Sequence, residues 1–179
     1  MKFSELTLHG VFALDGEPYV DERGSFTRTF CVDEFGARGL EPRVAQCSIS
    51  VNDRSGTLRG MHLQLAPFEE TKVVRCTRGA IFDVIVDLRN DSAAYCRWFG
   101  VELTPDNGRG LYIPVDVAHG FQTLEDASEV SYQMSYHYVP EAARGVRFDD
   151  PAFGIEWPDV PGGQRQMSER DRTYPDFAP

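Results

Sequence analysis

The 179-residue sequence lacks several features that define large classes of protein. No apolar run approaches the roughly 20 residues that a membrane-spanning helix needs, and the opening residues MKFSELTLHG lack the apolar stretch of a signal peptide. Basic residues are also few, since 18 Lys and Arg stand against 28 Asp and Glu for a net charge of −10. Such a negative field repels nucleic acid and anionic membranes as partners, but it permits a local basic pocket for a small phosphorylated ligand.

Cysteines are few and lack the spacing of a thiolate metal site or a redox motif. Cys31, Cys47, Cys76 and Cys96 include no Cys-x-x-Cys arrangement. Cys47 and Cys76 lie inside apolar runs, which predicts two small buried side chains. Together with the missing signal peptide, this cysteine usage predicts a cytoplasmic protein.

Helix signals are weak, and strand signals dominate. Short helices are predicted at 33–39 and from Ser168 to Asp171, where Ser168 would cap the turn. Many short apolar stretches separated by Gly and Pro favour an all-β sandwich or barrel. No repeat, low-complexity tract or linker interrupts the sequence, so we expect one domain over residues 1–179.

Two stretches have the alternating pattern of half-buried strands. Residues 73–76 and 81–88 flank a turn containing Gly79, which predicts a β-hairpin with Asp83 on one face of its second arm. Residues 130–139 alternate most regularly and place Tyr132 and Tyr138 on one face. Periodicity alone favours an aromatic stripe in a β core. If the strand lines a cavity, one phenol suits proton donation and the other ring suits stacking.

Histidines and isolated basic residues are the candidates for chemistry. His62 and His119 each follow a strand-like run beside a glycine, where backbone can approach a ligand closely. Imidazole is the usual proton-transfer group near neutral pH, although a core or surface histidine is the alternative. Arg23, Arg59 and Lys72 lie next to glycine or apolar strands, so each suits phosphate oxygens or else a surface salt bridge.

Specific motifs recur in a fixed order from about residue 21 to residue 171. The runs are DERGSF at 21–26, GTLRGMH at 56–62, KVVRC at 72–76, FDV at 82–84, DLR at 87–89, AHGF at 118–121, YVP at 138–140 and DPAFGIEWP at 150–158. In order and spacing they resemble the dTDP-4-dehydrorhamnose 3,5-epimerase family. The resemblance implies the metal-independent cupin fold, a double-stranded β-helix, with no cofactor and no metal.

The resemblance also implies catalytic roles. His62 matches the base, and Asp171, whose spacing alone indicates only a solvated charge, matches its carboxylate partner. Lys72 matches the cation near the C4 ketone, where it would stabilise an enolate oxygen. Tyr132 matches the proton donor on the opposite face of the sugar.

Other matches imply contacts to a nucleotide-diphospho-sugar. Arg23 and Arg59 match diphosphate contacts, and Tyr138 matches the ring that stacks on the base. The remaining matches are Phe26 beside the same pocket, Gln46 near the nucleotide and His119 at the sugar.

The chain departs from the family pattern near the nucleotide. Arg28 stands where Glu is common, Ser48 where Asn is usual, and either Ala143 or Arg144 where a further Glu is common. These changes leave the proton chemistry intact and leave the nucleotide open. Because an Arg only donates where a Glu accepts, Arg28 is expected to bind substrate and to weaken discrimination for dTDP.

The spacing of Arg59 and His62 makes a geometric prediction. Three residues apart, the two side chains point to opposite faces of a regular strand. Both face one pocket only if Gly60 interrupts the pleat, so an irregularity is expected there.

The leading hypothesis is a homodimeric isomerase that inverts C3 and C5 of a nucleotide-linked 4-keto-6-deoxy sugar, toward a deoxysugar such as rhamnose. Narrower alternatives are a C3-only or C5-only epimerase, or one that uses another nucleotide. A catalytically dead sugar-binding cupin is a third possibility, against which the set His62, Lys72, Tyr132 and Asp171 argues.

A metal-dependent cupin isomerase or dioxygenase is the alternative from another class. Such sites carry His-x-His, but Gln64 stands where the second His would be. Two histidines, His62 and His119, with a carboxylate from Glu69 or Glu70 would give a facial triad. The missing histidine argues against this alternative.

Overall fold

Strands dominate the structure, which is a computed structural model that describes residues 1–160 and 162–178. Within those residues there are thirteen strands and two short helices, which confirms the all-β prediction. The strands are β1 Lys2–Glu5, β2 Phe12–Asp15, β3 Tyr19–Asp21, β4 Gly24–Phe26, β5 Gln46–Asn52, β6 Leu58–Gln64, β7 Lys72–Arg78, β8 Ile81–Asp87, β9 Trp98–Leu103, β10 Arg109–Ile113, β11 Val117–Thr123, β12 Ser128–Met134 and β13 Ala143–Gly145. The helices are α1 Val32–Gly36 and α2 Glu169–Arg172.

Two antiparallel sheets hold most of the strands. The larger has the order β1-β2-β10-β7-β12-β5, and the smaller has the order β13-β6-β11-β8-β9. β3 and β4 form a separate two-stranded hairpin. From β5 to β8 and again from β10 to β13, successive strands alternate between the two sheets, as in the double-stranded β-helix of cupins.

Side chains of β8 show how the sheets divide their faces. Ile81 and Ile85 are fully buried in the core cluster that both sheets share. Val84 and Val86 point the other way, into a second cluster with residues that follow β13. Asp83 has the parity of Ile81 and Ile85, so the alternation carries its carboxylate to the face that lines the barrel.

Three local predictions are wrong. The alternating strand expected over residues 130–139 ends at Met134, so Tyr138 lies in the loop after β12. β7 and β8 do not form a hairpin, because they lie in different sheets and Gly79, at φ +70°, turns the chain between them. A glycine between two apolar runs marks either connection, so the pattern alone does not separate them. Cys47 is exposed because β5 is an edge strand, whereas Cys76 is buried as predicted.

Gly60 interrupts β6 as predicted. Its φ is +137°, and the register of β6 against β11 shifts part-way along the pair. A Cβ at Gly60 would lie 2.5 Å from the Cα of Gly120, so the two strands approach closely only because both residues are glycine. Arg59 and His62 consequently line the same cavity.

The helices are short, and α2 matters for the site. Ser168 caps α2 as predicted, since its Oγ accepts a hydrogen bond from the Asp171 N–H at 3.1 Å. This cap fixes the turn that carries the buried Asp171 side chain. In the two described ranges, no helix is long and apolar enough to cross a membrane.

Candidate active site

One cavity of about 810 Å³ collects most of the predicted site residues. Strands β5, β7 and β12 of the larger sheet and β6, β11 and β13 of the smaller sheet line it, together with the segment around α2. The predicted residues that line it are Gln46, Arg59, His62, Lys72, His119, Tyr132, Tyr138 and Asp171.

His62 and Asp171 form a hydrogen-bonded pair at the cavity wall. His62 Nε2 lies 2.8 Å from Asp171 Oδ1, and the Gly60 N–H donates to Asp171 Oδ2 at 3.2 Å. Burial acts to raise the pKa of Asp171, but His62, the Gly60 N–H and the Ser168 hydroxyl outweigh it, so the pKa lies below its usual value. Since Nε2 faces the carboxylate, Nδ1 is the nitrogen left to accept a proton.

A second pair lies across the strands from the first. His119 is directly opposite His62 in the register of β11 and β6, and its Nε2 lies 2.8 Å from Asp83 Oδ1. Both side chains are almost fully buried. The Tyr132 ring packs edge-on against the His119 ring with centroids 5.9 Å apart. Burial and the Asp83 charge raise the pKa of Tyr132 well above its usual value, so the phenol keeps its proton.

Lys72 places a cation in the same cavity. Its Nζ donates to the His62 carbonyl oxygen at 3.1 Å and lies 3.3 Å from Glu70 Oε1. Burial lowers the pKa of Lys72, while the carboxylates of Glu70 and Asp83 act in the opposite direction. An ammonium held here is positioned to stabilise negative charge that develops on a bound carbonyl oxygen.

The remaining predicted binding residues form the wider part of the cavity. Arg59 Nε donates to Asn52 Oδ1 at 2.8 Å, which fixes the guanidinium at the wall. The Tyr138 backbone N–H donates to Gln46 Oε1 at 3.1 Å. The Tyr138 side chain is half exposed, so its ring has a face free for stacking.

Three predicted binding residues lie outside this cavity in the single chain. Arg23 and Phe26 lie in the β3–β4 hairpin, where Phe26 is 78% exposed and Arg23 pairs with Asp21. Arg28 follows that hairpin and its Nη1 lies 3.1 Å from Glu34 Oε1. These side chains can therefore bind substrate, as predicted, only if the hairpin reaches a cavity other than that of its own chain.

The departures from the family pattern other than Arg28 do lie at the cavity. Ser48, Ala143 and Arg144 all line it. The family's Glu aligns with either Ala143 or Arg144, and both line the cavity. With either alignment, this wall therefore lacks the carboxylate.

His62, His119 and Glu70, which were considered as metal ligands, each pair with another side chain. His62 pairs with Asp171, His119 with Asp83 and Glu70 with Lys72. The Gln64 amide donates to the Phe68 and His137 carbonyls and accepts from the Val139 N–H, so it links loops instead. Nowhere in residues 1–160 and 162–178 do three His, Cys, Asp or Glu side chains form a metal-ligating group.

Sequence reasoning missed four polar residues that shape the cavity. Asp83 holds His119, and Asn52 holds Arg59. Glu70 contacts Lys72, and Arg170 lines the cavity beside Asp171. A signal existed for Asp83, since a carboxylate between two isoleucines on one strand face needs a partner. Glu70 lies in a loop without a fixed face and was considered only as a metal ligand, and nothing in the sequence distinguished Asn52 at the end of β5 or Arg170 in α2.

A cupin barrel that places an imidazole–carboxylate pair, a buried lysine and a buried phenol in one cavity defines a carbohydrate epimerase of the proton-transfer type. Comparison with known proteins identifies the family within this class. The family profile described as dTDP-4-dehydrorhamnose 3,5-epimerase matches residues 5–179. The chain therefore belongs to the dTDP-4-dehydrorhamnose 3,5-epimerase family.

Relatives with this and a neighbouring activity are similar over nearly the whole chain. The dTDP-4-dehydrorhamnose 3,5-epimerase of Sinorhizobium fredii is 39% identical over 175 residues, covering 98% of this chain and 89% of the relative. The crystal structure of the Bacillus anthracis dTDP-4-dehydrorhamnose 3,5-epimerase with TDP and PPi bound has a TM-score of 0.93 at 34% identity, covering 98% and 99%. ChmJ, a 3′-monoepimerase from Streptomyces bikiniensis in complex with dTDP-quinovose, has a TM-score of 0.87 at 31% identity, covering 96% and 85%.

Proposed function

We propose that this chain inverts C3 and C5 of a nucleotide-linked 4-keto-6-deoxy sugar, converting dTDP-4-dehydro-6-deoxyglucose to dTDP-4-dehydrorhamnose. The observation that carries the proposal is one cavity lined by a paired imidazole, a buried ammonium and a protonated phenol. Membership of the family supports the choice of substrate.

The chemistry follows from the acidity of carbons next to a ketone. C3 and C5 both flank the C4 carbonyl, so His62 Nδ1 removes a proton from either carbon and the electron pair moves to the carbonyl oxygen. Asp171 stabilises the resulting imidazolium, and Lys72 stabilises the enolate oxygen. Tyr132 then delivers its proton to the opposite face of the same carbon, and solvent restores both groups. No atom is lost, and the centre is inverted.

The other cavity residues hold the substrate in register with these groups. Arg59 carries the planar guanidinium that suits a diphosphate, and its bond to Asn52 orients it before substrate arrives. Tyr138 offers a ring to the base, and His119 offers its imidazole to the sugar. Stacking discriminates little among bases, because every base has a π face.

Deuterium uptake tests the reaction directly. Incubation with dTDP-4-dehydro-6-deoxyglucose in D₂O, followed by NMR, should show deuterium at both C3 and C5 of inverted product. An unlabelled sugar recovered from prolonged incubation would overturn the proposal.

The same spectrum separates the narrower alternative. Similarity to the 3′-monoepimerase ChmJ favours a C3-only epimerase as the second candidate. Deuterium and inversion confined to C3 would replace the double epimerisation by this single one.

Dialysis against EDTA tests the metal-dependent alternative. Because His62, Lys72 and Tyr132 supply base, electrostatic stabilisation and acid, activity should survive exhaustive dialysis. Loss of activity that a divalent cation restores would assign the cavity to a metal enzyme instead.

The exposed hairpin supports a homodimer. Tyr19, Val20 and Phe26 expose 69%, 69% and 78% of their surface on β3 and β4. Ile49 and Val51 expose 63% and 55% on the edge strand β5. Apolar surface of this kind marks an interaction site. Arg23 and Phe26 lie beyond β2, which β10 separates from β7, so we assign them to the cavity of a partner protomer.

Subunit complementation tests this arrangement. Arg23→Ala and His62→Asn should each be inactive, but a co-refolded mixture should regain about a quarter of wild-type activity, since half of its dimers carry one intact site. A monomer in analytical ultracentrifugation, or a mixture that stays inactive, would overturn it.

A further inference from the structure

Lys72 lies in surroundings that oppose its charge. Its side chain is 9% exposed, and burial acts to remove the proton from an ammonium. The proposed enolate stabilisation needs that proton, because a neutral amine attracts an oxyanion far less. A buried cation persists only when an opposite charge lies close by.

Glu70 is the carboxylate that contacts Lys72. Glu70 Oε1 lies 3.3 Å from Nζ, and the Glu70 side chain is only 8% exposed, so solvent screens the pair weakly. Asp83 on β8 also attracts Lys72, but its Oδ1 is held by His119 at 2.8 Å. On β6, the His62 carbonyl accepts a hydrogen bond from Nζ and adds no charge.

We propose that Glu70 is a positioning residue that keeps the Lys72 ammonium charged and in place beside the reacting ketone. The inference rests on the proposed function for the role of Lys72. Glu70 needs no contact with substrate for this role. Its neutral isostere should leave substrate binding in place while Lys72 loses its proton at a lower pH.

The lysine content of the chain makes a direct measurement possible. Lys2 and Lys72 are the only lysines in the sequence, so ¹³Cε-lysine labelling of a Lys2→Arg background leaves one NMR signal. Glu70→Gln should lower the pH at which that signal titrates by about one unit or more, as expected when an opposite charge within 4–6 Å is lost. Glu69→Gln is the matched control, because Glu69 lies one residue away and does not line the cavity. It should leave the titration unchanged.

Catalysis should follow the same titration. Activity that needs the ammonium is lost as pH rises through the pKa of Lys72, so Glu70→Gln should move the basic limb of kcat for deuterium exchange to lower pH. KM should change less than kcat. Tyr132 does not supply this limb, since burial raises its pKa well above the usual value.

The outcomes separate the two proposals. If the wild type takes up no deuterium, the proposed function fails while the lysine titration still tests Glu70. If the wild type is active and the titration of Glu70→Gln matches wild type, the role of Glu70 is wrong. Should Glu70→Gln fail to fold, Glu70→Asp and Glu70→Asn provide the same comparison, because one is charged, the other is neutral, and both are one methylene shorter. Equal titrations of Lys72 in these two variants would overturn the inference.

Discussion

Two His–Asp pairs face one cavity with the same geometry and different surroundings. In both, Nε2 lies 2.8 Å from Oδ1, and His62 and His119 are opposite each other across β6 and β11. The His62 side chain is 42% exposed, whereas that of His119 is 4% exposed. Asp171 has partners for both oxygens, but Asp83 Oδ2 has none among the described residues.

The difference shows that pair geometry alone does not make a base. A base must exchange protons with solvent between turnovers, which favours the accessible His62. Burial, together with the nearby Asp83 carboxylate, instead raises the pKa of Tyr132 and keeps the phenol protonated as an acid. Two similar pairs on adjacent strands therefore suit opposite halves of one proton transfer.

Removing the imidazole of the exposed pair should have the largest effect. His62→Asn should lower deuterium exchange at C3 and C5 by about 10²- to 10⁴-fold, the usual contribution of a general base. Calorimetry should show that dTDP still binds. His119→Asn should raise KM more than it lowers kcat, and equal losses of kcat in the two variants would erase the distinction between the pairs.

Removing the acid beside the buried pair should have the next largest effect. Tyr132→Phe keeps the packing against His119 and removes only the hydroxyl. Inverted product should fall by about 10²-fold or more, whereas exchange with retention should persist because His62 still takes and returns a proton. NMR measures both, and undiminished inversion would contradict the assignment.

Substitutions of the two carboxylates, Asp171 and Asp83, should affect different measurements. Asp171→Asn should lower kcat by about tenfold or more with little change in unfolding, because its role is to orient His62 and stabilise the imidazolium. Asp83→Asn should instead lower the free energy of unfolding by about 1–3 kcal/mol, since it leaves buried polar groups mismatched. Steady-state kinetics and denaturant titration measure the two effects. A larger loss of kcat in Asp83→Asn and a larger loss of stability in Asp171→Asn would contradict these roles.

The pH dependence of stability should distinguish Asp171 further. Its lowered pKa contributes stability above the ordinary carboxyl pKa of about 3.9, and that contribution is lost as pH falls through the lower folded-state value. The difference in free energy of unfolding between wild type and Asp171→Asn should therefore shift toward Asp171→Asn as pH falls from about 5 to below about 4. A constant difference down to pH 2 would contradict the shift.

The smallest effect is expected outside both pairs, at Arg28. The side chain is exposed and pairs with Glu34, so Arg28→Glu should change the preference for dTDP over UDP, CDP and GDP by about tenfold at most. Calorimetric titration of both proteins measures it. A wild type that strongly prefers dTDP, with a preference that the substitution leaves unmoved, would remove Arg28 from base selection.

Alternation and motifs predicted which residues lie on strands. They failed at turns between strands and at contacts made by loop residues. The break at Gly60 followed from the period of two. The same period wrongly placed Tyr138 on one strand with Tyr132, since β12 ends at Met134 and Tyr138 reaches the cavity from the following loop. The β7–β8 connection could not be predicted either, because a glycine turn has the same signature within one sheet and between two. Glu70 lies in a loop, so no periodicity aimed it at Lys72. The exposure of Cys47 depended on β5 being an edge strand, which pairing order alone decides.

The His62–Asp171 pair joins residues 109 positions apart, with α2 near the end of the chain supplying the carboxylate. The strands of both sheets are complete by Gly145, so all of them leave the ribosome before α2 does. The barrel strands therefore precede in synthesis the carboxylate that completes the proposed base. A chain without α2 lacks the carboxylate that pairs with His62, so turnover reports whether this segment has docked on the barrel.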